Sequence, residues 1–341
     1  MTSSTNLIDF PHDRLFRRLT LVTVVTVYLL IIAGGVVRST GAGMGCPDWP
    51  KCFGSWVPPT EVSQLPSNYQ EIYGAKLKGE VEFNAVKTWI EYVNRLLGAF
   101  TGVLIFAVLL ASIPYLRSGK SKLFYSSLAA FILVGFQGWL GSKVVSTELH
   151  PLVVTLHMIV AIIIVFVLLY ILAQSYTDSL SAGRVQEEKK IKYLVLGVIA
   201  LSFVQIIIGT QVREAIDLVV ARMGYAARSQ WIDELGLTFY IHRSFSIAVL
   251  GANVLLFYWT NKVVSPFSPL YSLARWTLVV VGLEIVAGIV LAYLGVPAFV
   301  QPIHLTLAVI LAGVQYMMWL SLTLNTRVES KTELATELSW D

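Results

Sequence analysis

Four polar residues repeat at nearly one spacing inside otherwise apolar stretches of this chain. Asn94 lies in Tyr-Val-Asn-Arg and His242 in Tyr-Ile-His-Arg, 148 residues apart (242 − 94), while His157 and His304 are 147 residues apart (304 − 157). An ionisable side chain in a segment that could span a membrane is costly to bury, so it is a candidate for function. The repeat predicts one cofactor site built twice, with asparagine replacing histidine in one copy.

Paired histidines on facing membrane helices favour haem as the cofactor. Two neutral imidazoles make a six-coordinate haem iron, so His242 and His304 predict a bis-histidine haem in the second half. Zinc fits less well, because no third or fourth soft ligand lies at that depth. In the first half, His157 can ligate iron, whereas the amide of Asn94 is better suited to hydrogen-bond a species on the iron. This predicts an open or weakly held coordination position.

Charged residues beside these positions predict how a haem is held and used. Arg213 and Arg243 lie near helix ends, where guanidinium groups can meet haem propionates. Glu91 shares a helix face with Asn94, and its repeat counterpart is Phe239, so the carboxylate belongs to the first half alone. It is either an Arg-paired structural carboxylate or a proton acceptor or charge stabiliser beside the first-half haem. The asymmetry favours the second interpretation.

Composition places these residues in a membrane protein. Of the 341 residues, 56% are hydrophobic and 13% are charged, with a mean hydropathy of +0.70, whereas a soluble domain is about 25% charged. We predict an all-α polytopic membrane protein with eight transmembrane helices. The predicted spans are 19–38, 87–112, 123–145, 152–174, 192–213, 236–260, 271–296 and 301–324.

The repeat extends beyond the four polar positions and divides the chain into two four-helix bundles. Gly34 to Arg38 ends the first predicted span as Gly209 to Arg213 ends the fifth, and Gly135 and Gly141 match Gly282 and Gly288. The predicted segments are an N-terminal segment (1–18), a first half (19–174) that includes an outer loop (39–86), a linker (175–191), a second half (192–324) and a tail (325–341).

The short connecting segments predict the orientation in the membrane. Lys and Arg concentrate in the N-terminal segment, in the connections after the second and fourth spans and in the tail, which puts both termini in the cytoplasm. We therefore predict a protein of the bacterial inner membrane, with the four polar positions within roughly 10 Å of the outer helix ends. The basic residues are divided among membrane-flanking segments, so nucleic-acid binding is not indicated.

Cys46 and Cys52 are the two cysteines, and both lie in the first outer loop. In an oxidising compartment they can form a disulfide that pins the loop, or a redox-active pair that exchanges electrons. A metal site is disfavoured, because no histidine lies near the two thiols.

Several of these segments resemble the haem A synthase family. The resemblance rests on Gly-Gly-Val-Val-Arg-Ser-Thr-Gly-Ala-Gly (34–43), Cys-Pro-Asp-Trp-Pro-Lys-Cys (46–52), Glu-Tyr-Val-Asn-Arg-Leu-Leu-Gly (91–98) and Tyr-Ile-His-Arg (240–243). It covers essentially the whole span-bearing part of the chain. Two departures are evident: the family has histidine at the position of Asn94, and some members carry a second cysteine pair that this chain lacks.

The resemblance implies a membrane oxidoreductase that converts haem O to haem A for cytochrome oxidase, through hydroxylated intermediates at the C8 methyl group. It implies a resident haem b on His242 and His304, and a substrate haem on His157 with Glu91 as a functional carboxylate. Cys46 and Cys52 match a family disulfide. On this basis we expect Arg38 and Arg95 to orient propionates in the first half. A haem O-producing enzyme and oxidase assembly factors are the implied partners.

Two other functions fit the histidines. One is a di-haem membrane cytochrome b that transfers electrons, and the other is a haem carrier without chemistry. Neither explains why Glu91 and Asn94 occur together in one half.

Overall fold

Eight long helices make up the molecule. The computed structural model describes residues 11–74, 82–176, 185 and 187–337, and within these ranges no β-strand is formed. The helices are α1 (Pro11–Ser39), the short α2 (Tyr69–Tyr73), α3 (Ala85–Ser112), α4 (Ser121–Ser146), α5 (Pro151–Ser175), α6 (Glu188–Met223), α7 (Gly236–Val263), α8 (Pro269–Tyr293) and α9 (Val300–Glu337). All but α2 contain a segment long and apolar enough to cross a membrane, so the predicted number of spans is confirmed.

Local signals in the sequence explain where several helices begin and end. The Asn84 side chain caps α3 by accepting a hydrogen bond from the Lys87 N–H (3.0 Å), and Ser268 caps α8 in the same way. At the far end of α6, Gly224 adopts a φ of 74°, a left-handed conformation that glycine tolerates best. The apolar runs between these signals then form uninterrupted helices.

The helices pack as two rings of four, as the sequence repeat predicted. In the first half, α1 and α4 each contact both α3 and α5; in the second half, α6 and α8 each contact both α7 and α9. The two rings meet where α9 packs against α1 and α5, with a smaller contact between α5 and α6. The largest buried cluster crosses this boundary, since it joins Phe16, Ile105 and Leu168 of the first half to Ile206 and Val309 of the second.

Small residues allow α1 and α9 to approach closely. A Cβ atom at Gly35 would lie 2.7 Å from Pro302 Cβ, and one at Gly313 would lie 2.6 Å from the hydroxyl oxygen of Tyr28. Close glycine contacts of this kind are a general means of packing membrane helices. These two contacts fix the boundary between the halves at separate depths.

Helix α1 begins at Pro11, within the predicted N-terminal segment, and two other helices continue at least ten residues past their predicted ends. Helix α6 continues to Met223, so the prediction that Arg213 ends this helix is wrong. An i,i+4 ion pair between Arg213 and Asp217 satisfies charges that a hydropathy pattern treats as a boundary. Helix α9 continues to Glu337, within the predicted tail. Residues 1–10, most of the predicted linker (177–184 and 186) and 338–341 lie outside the described residues.

Candidate functional site

Each of the four repeated polar positions lies against a glycine on the preceding long helix. The pairs are Gly34 with Asn94, Gly141 with His157, Gly209 with His242, and Gly288 with His304. A Cβ atom at Gly209 would lie 3.1 Å from Cε1 of His242, and the corresponding distances at Gly141 and Gly288 are 3.4 and 3.6 Å. Four of the six glycines noted in the sequence repeat therefore make room for the side chains that the same repeat singled out; Gly135 and Gly282 do not.

His242 and His304 face each other across the second bundle. Their ring centroids are 6.3 Å apart, with 80° between the ring planes. Two metal–nitrogen bonds of about 2 Å, with roughly 1.2 Å from each nitrogen to its ring centre, put the centroids about 6 Å apart. The rings can turn independently about such bonds, so the angle between their planes is permitted. The spacing fits two axial ligands of one haem iron.

The histidines are buried on one side and open on the other. Nδ1 of His157, His242 and His304 is buried and makes no hydrogen bond, while each residue as a whole is half-buried. In the described part of the chain, no three or more His, Cys, Asp or Glu side chains are grouped to hold a bare metal ion. A metal on these histidines would thus need further ligands from another molecule, as a porphyrin supplies.

Glu284 approaches one of these rings. Its Oε2 lies 2.5 Å from His304 Nδ1 at ion-pair distance, although the contact lacks the geometry of a hydrogen bond, and its side chain is 11% exposed. Glu284 was not identified from the sequence. A signal was present, because Glu284 is a lone carboxylate in the apolar segment 277–290.

The first half has a different arrangement. The side-chain oxygen of Asn94 is buried and unpaired, and the Gln137 amide donates to the backbone carbonyl of His157 (2.9 Å). A largely apolar cavity of about 650 Å³ is lined by residues of α1 and α3, and Asn94 is one of them. Its lining includes Ala33, Val36, Trp89 and Val93. The cavity therefore brings an apolar surface and the Asn94 side chain together at one place.

Glu91 is paired rather than free. Its Oε1 accepts hydrogen bonds from Arg95 (2.5 and 3.2 Å), and its Oε2 accepts one from the backbone N–H of Cys46 (2.8 Å). The side chain is 5% exposed. A charge buried to this degree is tolerated because a guanidinium and an N–H group both satisfy it.

Arg95 holds the loop between α1 and α3. It donates to the carbonyl oxygens of Cys46 (3.0 Å), Asp48 (2.7 Å) and Lys51 (3.0 Å), besides its bonds to Glu91. The structure thus places Arg95 in the anchoring of this loop, and its donors are engaged there. Propionate binding would require some of these bonds to be exchanged.

Cys46 and Cys52 form a disulfide within the loop that Arg95 grips. Their Cα atoms are 4.9 Å apart, and both residues are fully buried. The Asp48 carboxylate accepts from the backbone N–H groups of Phe53 (2.6 Å) and Gly54 (2.8 Å). The disulfide-closed loop is therefore held by hydrogen bonds to two side chains, Asp48 within the loop and Arg95 of α3.

Arg38 and Arg213 come together on a shared carboxylate. Asp217 accepts from Arg213 (2.7 Å) and pairs with Arg38, while Arg213 also donates to the Arg38 carbonyl (3.0 Å) and to Gln301 (2.6 Å). Arg38 Nη1 and Arg213 Nε are buried and unpaired. Each arginine thus retains an unused donor near the candidate sites. Asp217 and Gln301 were not identified from the sequence.

Arg243 binds neither a loop, as Arg95 does, nor a carboxylate, as Arg38 and Arg213 do. It is exposed, and its guanidinium lies 5.8 Å from the ring centroid of Phe239 and 5.2 Å from that of Tyr240. Such cation–π contacts leave the guanidinium N–H groups able to bind an anion.

Known proteins are similar to this chain over most of its length. Residues 17–316 match the model of a family described as cytochrome oxidase assembly protein. A protein of Rickettsia prowazekii named Heme A synthase is 24% identical over 333 residues, covering 89% of this chain and 96% of that protein. One of Rickettsia africae with the same name is 26% identical, with coverages of 86% and 94%. One of Shewanella oneidensis is 30% identical over 152 residues, covering 44% of this chain and 43% of that protein.

Proposed function

Because the chain belongs to the cytochrome oxidase assembly protein family, we propose that it oxidises the C8 methyl group of haem O to the formyl group of haem A. Relatives named Heme A synthase that align along nearly their whole length support this function. The observation in the molecule that carries it is the spacing of His242 and His304. A multi-electron oxidation needs a route for electrons away from the substrate, and a haem between these rings supplies one-electron redox chemistry.

In the second half, His242 and His304 hold a resident haem b. Gly209 and Gly288 leave space for the two rings, and the 6.3 Å separation suits ligation from both faces. Arg213 and Arg243 bind the propionates through their unused N–H groups.

In the first half, His157 would ligate the substrate haem iron and Asn94 would supply an amide group to the same site. The buried, unpaired oxygen of Asn94 can accept a hydrogen bond from a group on the substrate. Arg38, with a free Nη1, is better placed than the loop-bound Arg95 to bind a propionate.

Glu91 stabilises positive charge that develops at the substrate methyl carbon. Its contacts with Arg95 and Cys46 favour this role over that of a mobile base, because both oxygens already accept hydrogen bonds. A carboxylate held rigidly in a low-dielectric site needs no rearrangement when charge develops beside it.

We further propose that the protein lies in the bacterial inner membrane with both termini in the cytoplasm. It would receive haem O from the enzyme that makes it and pass haem A to oxidase assembly factors. The eight apolar helices and the family support an integral membrane protein, which is consistent with that location.

The test is to purify the full chain, extract its haems and separate haems B, O and A by chromatography. Haem B together with haem O and haem A is the result expected of the enzyme. Haem B alone would instead indicate an electron-transfer cytochrome, and a single exchangeable haem without conversion would indicate a carrier. Either result would refute the proposed reaction.

A further inference from the structure

A buried carboxylate distinguishes the two halves at one repeated position. The 147-residue offset that relates His157 to His304 also relates Gln137 to Glu284 (284 − 137). Gln137 donates to the His157 backbone, 2.9 Å away, whereas Glu284 places Oε2 2.5 Å from the ring nitrogen of His304. The same helix position thus supports the backbone of one candidate ligand and contacts the ring of the other.

The contact of Glu284 is specific to His304. His242, across the bundle, is supported as His157 is, by a glutamine: Gln205 donates to its backbone carbonyl (3.0 Å). A carboxylate in the middle of an apolar helix is costly, and the other oxygen of Glu284 is buried without a hydrogen bond. Because burying Glu284 is unfavourable, we look for a function in what it contacts. Its polar partner is the ring of His304.

We propose that Glu284 is a positioning residue that fixes the His304 ring and lowers the reduction potential of the haem that His304 ligates. An imidazole that binds iron through Nε2 carries its proton on Nδ1, and a carboxylate beside Nδ1 makes the ring a stronger donor. Its negative charge also stabilises ferric over ferrous iron in a medium of low dielectric constant. The inference rests on the proposed ligation by His242 and His304, and it deepens that proposal.

Glu284 carries a negative charge where the equivalent residue of the first half, Gln137, is neutral. With an amide at the equivalent place, the first half provides no negative charge to its histidine ring. Glu284 would therefore make the haem on His242 and His304 easier to oxidise than an amide at the same place would, which favours the step that passes electrons on from it.

The decisive variant is Glu284→Gln in the full-length protein, studied by optical redox titration of the low-spin haem. We expect its ferric–ferrous equilibrium to shift at least about tenfold toward ferrous, which is a rise of about 59 mV for one electron. Glu284→Asp keeps the charge and should restore much of the wild-type potential. Glu187→Gln removes the same charge at the N-cap of α6, and should leave the potential unchanged.

The outcomes separate this inference from the proposed function. A Glu284→Gln protein that keeps a bis-histidine low-spin spectrum at the wild-type potential would overturn the inference and leave the function intact. Loss of the low-spin haem in Glu284→Gln but not in Glu284→Asp supports the positioning role. Wild-type protein without any bis-histidine haem would refute the ligation itself.

A measurement on wild-type protein guards against a variant that does not fold. Redox-induced infrared difference spectra, recorded with and without ¹³C-labelled glutamate, should contain a carboxylate band that changes with the oxidation state of the low-spin haem. Absence of any glutamate-dependent band would overturn the inference.

Discussion

At the scale of single residues, each half has an arginine four residues after a repeated position, but the two arginines make different contacts. Glu91 and Arg95 form an ion pair one helical turn apart in α3, while Phe239 and Arg243 form a cation–π contact at the equivalent positions of α7. The first arginine is bound to the loop, and the second is exposed. The arginine beside Glu91 is therefore engaged in an ion pair, whereas the arginine beside Phe239 keeps its N–H groups available for an anion.

Replacing Glu91 by Gln should lower haem A yield by roughly tenfold or more, because the shape is kept but the stabilising charge is lost. Haem analysis of cells producing each variant would measure this. Glu71→Gln, an exposed glutamate on α2 in the same loop, is the matched control. Equal yields from the two variants, with the disulfide shown intact by thiol labelling, would contradict the role of Glu91.

Replacing Gly209 by Ala should weaken haem binding in the second half. The new methyl group lies 3.1 Å from the His242 ring, closer than its counterparts at Gly141 and Gly288, so the ring must shift. We expect a several-fold loss of low-spin haem per protein, measured by its absorbance. Gly197→Ala is the control on the same helix, since its Cβ meets no atom within 4 Å. Normal haem content in Gly209→Ala would show that the space is not required.

At the scale of helices, one polar cluster ties three of them together near the candidate sites. Asp217 of α6 pairs with Arg38 of α1, and Arg213 of α6 donates to Gln301 in the first turn of α9. Gln301 precedes His304 by one helical turn. Arg38 follows Gly34, which faces Asn94, by one turn, and Arg213 follows Gly209, which faces His242, by one turn. A substitution in this cluster should therefore alter helix packing in both halves.

Replacing Asp217 by Asn should lower the stability of the protein. Two arginines lose their shared counter-charge, but Asp217 is 41% exposed, so we expect a cost of only about 1 kcal/mol. Thermal unfolding in detergent would measure it. Glu214→Gln removes the same charge from the same helix and serves as the control. Similar unfolding temperatures for the two variants would mean that the cluster does not stabilise the helix contacts.

At the scale of the whole molecule, the two bundles are joined by close helix packing. Gly35 lies against Pro302, whose Cα and Cβ atoms belong to a rigid ring and cannot turn aside. The largest buried cluster crosses the same boundary. The halves therefore form one packed body and are not held together by the linker alone.

Replacing Gly35 by Ala should force α1 and α9 apart. The added methyl group would lie 2.7 Å from Pro302 Cβ, and overpacking of this kind costs about 1–3 kcal/mol. The unfolding temperature of the variant would fall below that of Gly102→Ala, in which the new Cβ meets nothing within 4 Å. If the two variants unfold at the same temperature, the contact between the halves is softer than the structure indicates.

Much of this architecture could be predicted from the sequence. The eight helices followed from runs of apolar residues, and the four polar positions followed from the repeat. The continuation of α6 could not be read from hydropathy, because Arg213 and Asp217 satisfy each other only when the helix is formed. The pairing of Arg38 with Asp217 joins residues 179 positions apart, and no local pattern predicts it.

Glu284 was missed for a different reason. Its counterpart in the first half is Gln137, so the repeat does not mark it, and unlike Glu91 it lies 20 residues along the chain from the repeated histidine that it contacts. The partners of Arg95 were likewise hidden, because they are backbone carbonyls of a loop that carries no regular pattern. Contacts between helices and contacts with loop backbone are thus the parts of the site that needed the structure.

The carboxylate shared by Arg38 and Arg213 limits how far the two halves can be exchanged. These arginines are related by the 175-residue offset, and the same offset relates Asp217 to Ala42. A pseudo-symmetric pair of first halves would bring two guanidinium groups together without this anion. The internal pseudo-symmetry is therefore broken at this cluster, and a second copy of the first half could not supply the missing carboxylate.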